Sequence, residues 1–289
     1  MKAFEKVNPS HPDKVADRIA GAIVDLAYAK QENPKAAVEV LIGHGDCNII
    51  YEGSVNIPKD EVCDVVYRII TGHGSMLNVN YKQVPQDSHL AENQLGAVRC
   101  GDNGIFIGHY ASDIELELAE FAHRIYGKYP FDGKYVISDD GSHKKIIICQ
   151  SHMPEDGYEE IRTFLKKYNH ITDVVINPLG TWTGGTDVDS GATNRKLGSD
   201  MGEGVTGGGL HGKDCTKADV SMNIECWRKS VSSHSIVTAC CGIGDDEVTF
   251  VYDNGNRETV KYSEVVESAK NWIFKIGGFE EFAEWGLIR

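Results

Sequence analysis

The sequence predicts an α+β fold built from a triplicated α-β-β-α module. One observation is that a helix, strand, strand, helix order recurs, with first helices beginning at Lys14, Ile114 and Thr216. The copies share that order without visible sequence identity. The other observation is segregation: each copy would place two helices on one face of a small sheet, which favours α+β over a doubly wound parallel sheet.

The first helix is predicted over Lys14 to Tyr28, where Val15, Ile19, Ile23 and Leu26 form one stripe behind a start signal of Ser10, Pro12 and Asp13. Strand patterns follow at Ala36 to Ile42 and Asn48 to Val55. The next helix, Asp60 to Ile70, has Val62, Val65, Val66 and Ile69 on its apolar face. In the second copy the helix Ile114 to Tyr126 precedes strands Lys134 to Ser138 and Lys144 to Cys149, joined through Asp139-Asp140-Gly141, and then the helix Tyr158 to Tyr168. The third copy runs helix Thr216 to Lys229, strands Ser235 to Cys241 and Glu247 to Tyr252, a turn at Asp253-Asn254-Gly255, and helix Ser263 to Phe274. The corresponding domains are 1–97, 98–183, and 184–289, the last including a glycine-rich loop.

A chain of 289 residues with 41% hydrophobic content can bury a substantial core. Its formal net charge of -14 argues against nucleic acid as a partner, which needs a broad basic surface. Eight cysteines occur without a C-x-x-C, and Cys240 and Cys241 adjoin in an apolar run, a pattern of reduced thiols in a cytoplasmic protein. Neither a signal peptide nor an apolar stretch of membrane-spanning length is visible, so no membrane association is expected.

Ten of the 31 glycines fall between Gly184 and Asp219, interleaved with Asp, Arg and Lys in a mixture no packed core requires. Glycine lets backbone N–H groups approach a ligand, and Arg195, Lys196, Lys213 and Lys217 offer charge to an anion. Asp187, Asp189, Asp200, Asp214 and Asp219 then suggest a divalent metal, since Mg²⁺ is usually held by one or two carboxylates plus phosphate oxygens. The segment reads as a polyphosphate site. Gly202-x-Gly204-x-x-Gly207 matches a dinucleotide fingerprint only formally, because Lys196 to Met201 offers no apolar strand before it. The near match to a P-loop at Gly207 to Lys213 continues with Asp214 where a hydroxyl is needed.

Outside that segment, Ser10-His11-Pro12-Asp13-Lys14 reads either as a helix start, Ser10 being the N-cap, or as a functional constellation. Its His-Pro-Asp is also the J-domain tripeptide, but only ten residues precede His11, too few for the long helix that domain requires. Glu39 lies mid-strand, where burial of an unpaired carboxylate would cost several kcal/mol; the alternative is a solvent-facing place on an edge strand. Glu52 reads as an ordinary surface acid by itself, and Trp182 as a core residue or a base-stacking one.

Taken in order, His11-Pro-Asp-Lys, the Glu39 and Glu52 pair, Gly101-Asp102-Asn103-Gly104, Asp139-Asp140-Gly141, Ile176-Asn177-Pro178, GGxxxDxGxTxRK at Gly184 to Lys196 and GKDxTKxD at Gly212 to Asp219 resemble S-adenosylmethionine synthetase (methionine adenosyltransferase). The resemblance implies three similar, intertwined modules about a pseudo-threefold axis, and a homodimer with active sites at the subunit interface, a tetramer being the larger alternative. It implies ATP and L-methionine as substrates, Mg²⁺ (two per site) and K⁺ as cofactors, and hydrolysis of the expelled triphosphate to pyrophosphate and phosphate.

Matched position by position, the resemblance gives catalytic roles to His11, Asp102, Arg195 and Lys213. ATP would meet His11, Asp140, Trp182, Asp189, Arg195, Lys196, Lys213 and Ile243. Methionine would meet Glu52, Asp189, Lys217 and Gln94, with Gln86 the rival for that glutamine. Asp13 and Asp219 would hold Mg²⁺, and Glu39 K⁺. The chain departs from the family pattern where Ser142 and His143 intervene before Lys144, where Ser10 replaces a glycine, in a shorter Lys82 to Gly101 segment, and in ending at Trp285-Gly-Leu-Ile-Arg289. It thus resembles a compact, C-terminally shortened member. Two alternatives stay open: a tripolyphosphatase or transferase for another thioether, and a non-catalytic nucleotide-binding regulatory subunit.

Overall fold

The computed structural model describes residues 1–289 except 72, 73, 94, 95 and 169. Among them the elements are β1 (Lys2–Val7), α1 (Pro12–Lys30), β2 (Ala36–Gly43), β3 (Asp46–Gly53), α2 (Lys59–Ile70), β4 (Asn78–Val84), α3 (Ser88–Asn93), β5 (Gly104–Gly108), α4 (Asp113–Lys128), β6 (Gly133–Asp139) and β7 (Lys144–Gln150). They continue with α5 (Glu155–Leu165), β8 (Asp173–Ile176), β9 (Gly191–Ala192), α6 (Leu197–Met201), α7 (Ala218–Ser233), β10 (Val237–Cys241), β11 (Glu247–Tyr252), β12 (Arg257–Lys261), α8 (Tyr262–Ile276) and α9 (Phe279–Trp285). The predicted helix, strand, strand, helix order is present three times, as α1-β2-β3-α2, α4-β6-β7-α5 and α7-β10-β11-α8, and the architecture is α+β.

Each hairpin becomes a four-stranded sheet by recruiting strands the periodicity does not show: β4-β3-β2-β9, β1-β6-β7-β8 and β12-β11-β10-β5. In the first two sheets the strand after the second helix pairs in parallel, β4 on β3 and β8 on β7. In the third sheet β12 instead returns antiparallel on β11. The fourth strand always comes from elsewhere in the chain. β1 joins the second sheet, β5 the third, and the two-residue β9 the first. The sheets are therefore interwoven across residues 97 and 183, and pairing of this range is what ties the modules together.

One apolar core runs through the first and third modules, from Ile19 and Ile23 of α1 through Val38 and Ile49 to Phe106, Phe250 and Ile273. The second module has its own, centred on Phe121, Ile137 and Ile148. The C-terminal α9 adds Phe279 and Phe282 to the first core, and Trp285 enters the second. No helix among the described residues is long and apolar enough to cross a membrane.

The buried side of α1 carries charge as well as apolar groups. Lys14 and Asp17 are both fully buried. The Lys14 ammonium lies 2.7 Å from Asp200 Oδ1, 3.1 Å from Asp17 Oδ2 and 3.3 Å from His211 Nε2. Asp17 in turn accepts the Asn194 N–H at 2.8 Å. This network fastens the segment leading into Arg195 against α1.

Candidate active site

The site is built where the start of α1 meets the segment around β9. His11, not Ser10, is the N-cap of α1: its Nδ1 accepts the Asp13 N–H at 3.2 Å. Ser10 is buried instead, its hydroxyl reaching the Pro130 carbonyl at 3.2 Å. Pro12 at the first helical position needs no N–H partner there. An accepting Nδ1 puts the ring proton on Nε2. Burial lowers the His11 pKa to about 4, the Asp13 charge opposing, so the imidazole is neutral at pH 7 without ligand.

Asp13 is only 1% exposed, yet its carboxylate is fully engaged. Oδ1 accepts the Ala192 N–H at 2.9 Å and lies 3.4 Å from Arg195 Nε, and Oδ2 lies 3.1 Å from Lys196 Nζ. This closeness requires Gly191, because a Cβ there would run into the Pro12 carbonyl. Asp132, which the sequence did not single out, joins this first cluster. It accepts the Gly185 N–H at 3.0 Å, and a Cβ at Gly184 would fall within 3 Å of both Asp132 and Trp182. Asp132, Gly184 and Gly185 line a pocket of about 280 Å³ with Gly74, Ser75, Phe131, His152 and Asp187. Trp182 is half-buried at its side, donating Nε1–H to Asn177 Oδ1 at 3.2 Å.

Burial pushes the Asp132 carboxyl up to about 6, with Asp189 and Asp13 acting in the same direction and the Gly185 N–H opposing. Below about pH 4 the group is protonated in folded and unfolded chains alike; as pH rises through 6 the folded chain must ionise it, and stability is lost. Asp132→Asn keeps an acceptor for the Gly185 N–H. It is expected to stabilise the fold by on the order of 2–3 kcal/mol at pH 7–8 and by nearly nothing at pH 4. Thermal melts at the two pH values check this; equal shifts at both would contradict it.

A second cluster forms at the start of α7. Lys213 Nζ donates to Asp219 Oδ2 at 2.5 Å and to the Gly208 carbonyl at 2.7 Å. Burial raises the Asp219 pKa, Lys213 lowers it, and nearby Asp102 raises it again. Lys217 is the residue before α7, and Gly101 packs against it: a Cβ at Gly101 would lie 3.8 Å from Lys217 Cδ. Asn103 Oδ1 accepts the Ile243 N–H at 2.7 Å, bringing the Asp102 loop to the end of β10.

Strand β2 relates the clusters. Ala192 pairs with Leu41 and Lys213 bridges Ala37, four residues away, or roughly 13 Å at about 3.3 Å per residue. Between them Glu39 accepts the Thr193 hydroxyl. Glu39 is exposed, so of the two readings the buried one does not hold: the covered face of the sheet takes Val38 and Val40, and the pleat turns Glu39 outward with Leu41 and, on β3, Ile50 and Glu52. Nor is β2 an edge, since β3 and β9 flank it.

Other sequence-derived candidates lie elsewhere. Asp140 caps the β6–β7 turn, accepting the Ser142 and His143 N–H groups, which hold its carboxyl near 2. Lys144 turns to Glu117 at 3.4 Å on α4 and to Asp139 at 3.9 Å, away from both clusters. Gln86 is half-buried before α3, whereas Asp189 is exposed but belongs with the first cluster, its charge acting on His11 and Asp132. Gln94 lies outside the described residues. Two loop acids read as metal ligands are structural: Asp200 pairs with Lys14, and Asp214 accepts the Ala36 and Thr216 N–H groups.

The donor sets decide where a cation fits. Asp17, Asp200 and His211 converge, but the Lys14 ammonium already fills that space. Asp13 and Asp219 are single carboxylates flanked by Arg and Lys, which suits a hard cation completed by phosphate oxygens and water. Glu39, beside the Thr193 hydroxyl, is an oxygen donor compatible with a monovalent ion.

Three interlocked α+β modules carrying carboxylate and cation clusters define the class: a protein of the S-adenosylmethionine synthetase fold. The solved "unusual S-adenosylmethionine synthetase" from Campylobacter jejuni superposes with a TM-score of 0.74 at 19% identity, covering 99% of this chain and 94% of that one. In sequence, residues 1–90 match the family described as S-adenosylmethionine synthetase, N-terminal domain. S-adenosylmethionine synthases of Helicobacter pylori strain HPAG1 and Helicobacter hepaticus are 27% and 26% identical, over 94% and 92% of this chain and 85% and 83% of theirs. The similarity to S-adenosylmethionine synthases extends over 94% of this chain in sequence and 99% in fold. The first alignment runs over 330 positions, more than the 289 residues here, so part of its compaction is internal.

Proposed function

We propose that this protein is a methionine adenosyltransferase that joins ATP and L-methionine into S-adenosylmethionine and hydrolyses the expelled triphosphate to pyrophosphate and phosphate. The observation that carries it is the pairing of each candidate metal acid with candidate phosphate cations: Asp13 with Arg195 and Lys196, Asp219 with Lys213. In the absence of ligand the acids and cations hold one another. A triphosphate exchanges these contacts for its own oxygens.

The methionine sulfur attacks C5′ of ATP in line, the C5′–O bond breaks, and the triphosphate leaves with the bond electrons. No proton moves in that step, so catalysis rests on positioning and on neutralising the leaving group. Arg195 offers a two-pronged grip to phosphate oxygens, with Lys196 and Lys213 as point charges. His11 donates its Nε2–H to the same polyanion while its Nδ1 keeps accepting the Asp13 N–H. Mg²⁺ at Asp13 and Asp219, two per site, would neutralise the triphosphate further, and K⁺ at Glu39 would fix the strand between them. Glu52, Asp189 and Lys217 have charges suited to the ends of methionine, and Gln94 or Gln86 would supply a further polar contact. Trp182 with Ile243 would border the nucleoside, and Asp102 the reacting centre.

The clusters stand at opposite ends of β2 beside an outward face with Leu41 53% and Ile50 50% exposed. Two copies packed through that face would bring the first cluster of one to the second cluster of the other, as a homodimer with shared sites. The acidic chain and its thiols suit a cytoplasmic enzyme. The test is incubation with ATP, methionine, Mg²⁺ and K⁺, measuring S-adenosylmethionine and phosphate with and without methionine. Both products are expected, dependent on methionine. Phosphate alone would favour a tripolyphosphatase.

A further inference from the structure

Two cysteines meet beneath the candidate site, and neither takes part in the proposed reaction. Cys100 immediately precedes Gly101-Asp102, and Cys241 ends β10 opposite Gly104 of β5. Their sulfurs are 2.7 Å apart, against about 2.05 Å for a disulfide bond. The surrounding backbone is already docked: the Cys100 N–H donates to the Asp245 carbonyl at 3.0 Å, and the Gly244 N–H donates to the Cys100 carbonyl at 2.8 Å. Bridging the pair needs only a small side-chain movement. Cys100 is fully buried and Cys241 is 7% exposed, which leaves an approach for a small oxidant but not for a bulky one.

We infer that Cys100 and Cys241 form a reversible oxidation site, closed to an intrachain disulfide by a small hydroperoxide. The Cys100 thiolate attacks one peroxide oxygen; an S–O bond forms, the O–O bond breaks, and the departing hydroxide takes up the proton lost by the thiol. The Cys241 sulfur then attacks the Cys100 sulfur, an S–S bond replaces the S–O bond, and the second hydroxide leaves with the Cys241 proton. With hydrogen peroxide, two thiols and one peroxide give one disulfide and two waters. The hydrogen bond from Cys241 lowers the Cys100 pKa although burial opposes it, which favours Cys100 as the attacking sulfur.

Oxidation also changes what holds Asp102. Its carbonyl accepts the Cys100 S–H at 2.9 Å and faces the Cys241 sulfur at 3.8 Å. A disulfide has no S–H to donate. The Asp102 loop then loses this tie and adenosyl transfer falls, a consequence that rests on the function proposed above.

The test treats the purified full chain with hydrogen peroxide, then maps peptides without reduction and assays activity before and after added thiol. The expected product has lost two hydrogens and links Cys100 to Cys241. The link persists in Cys240→Ser and disappears in Cys241→Ser, which keeps the Cys100 S–H donating to the Asp102 carbonyl and whose melting temperature shows whether the fold is kept. Oxidation is expected to lower activity at least tenfold, thiol to restore it, and Cys241→Ser to be insensitive. No Cys100 link, or one made through Cys240, overturns the site. A clean link with unchanged activity overturns the effect on Asp102. Should the untreated protein make no S-adenosylmethionine, the functional reading fails while the peptide map still decides the disulfide.

Discussion

Asp13→Asn is expected to slow S-adenosylmethionine formation by roughly 10²–10³-fold while leaving the fold intact. The amide oxygen can still accept the Ala192 N–H, so the turn between α1 and β9 keeps its hydrogen bond. What disappears is the negative charge between Arg195 and Lys196, and with it the proposed metal ligand and the counter-charge that holds those cations before substrate arrives. The Mg²⁺ concentration for half-maximal rate should rise. Asp219→Asn should behave alike, because it removes the charge facing Lys213. If each site joins Asp13 of one copy to Asp219 of another, the two variants complement. Co-expressed and purified as a mixed dimer, they restore one intact site of two, and activity returns toward half of the unmodified protein's. A mixed dimer as inactive as the single variants would place both acids in one subunit's site.

Lys14→Met is expected to be among the most destabilising substitutions, at about 3–5 kcal/mol, since it leaves buried carboxylates without their cation. Burial pushes the Asp200 carboxyl up, but Lys14 and His211 more than offset it and hold it below its ordinary range; Asp17 is raised, burial outweighing Lys14. Removing the ammonium exposes both acids to the full penalty. The loss also reaches the site, because Asp17 holds Asn194 immediately before Arg195. Urea unfolding measures the cost, and a change below about 1 kcal/mol would show that the network contributes little.

The three modules were legible because their helices and hairpins bury faces with regular periods. The strands that knit them together were not. β1 and β9 are a charged six-residue run and a dipeptide, and β8 has four residues, so their pairing is decided by which sheet edge lies open in the folded chain. The motif-bearing acids and cations were readable as types, and the structure brings His11, Asp13, Arg195 and Lys196 to one place. Their partition was not readable. Asp200 and Asp214 share the loop with Asp219, and only the fold turns them toward Lys14 and backbone N–H groups. A charged Lys14 and Asp17 beside the apolar stripe of α1 were the visible signal for the buried network. Whether Glu39 was buried stayed open, because a strand's pattern does not say which face its helices cover. Asp132, between Phe131 and Gly133, gave no signal at all.

The most direct test is a single turnover, quenched rapidly, with enzyme in excess over ATP labelled separately in adenosine and in the γ-phosphate, and with methionine and Mg²⁺ present. The account predicts that adenosine label enters S-adenosylmethionine in step with formation of intact triphosphate, which is then hydrolysed to pyrophosphate and phosphate before release. ADP or AMP appearing in place of S-adenosylmethionine would contradict it, because the triphosphate would then not be the leaving group that Asp13, Asp219 and their paired cations are proposed to hold.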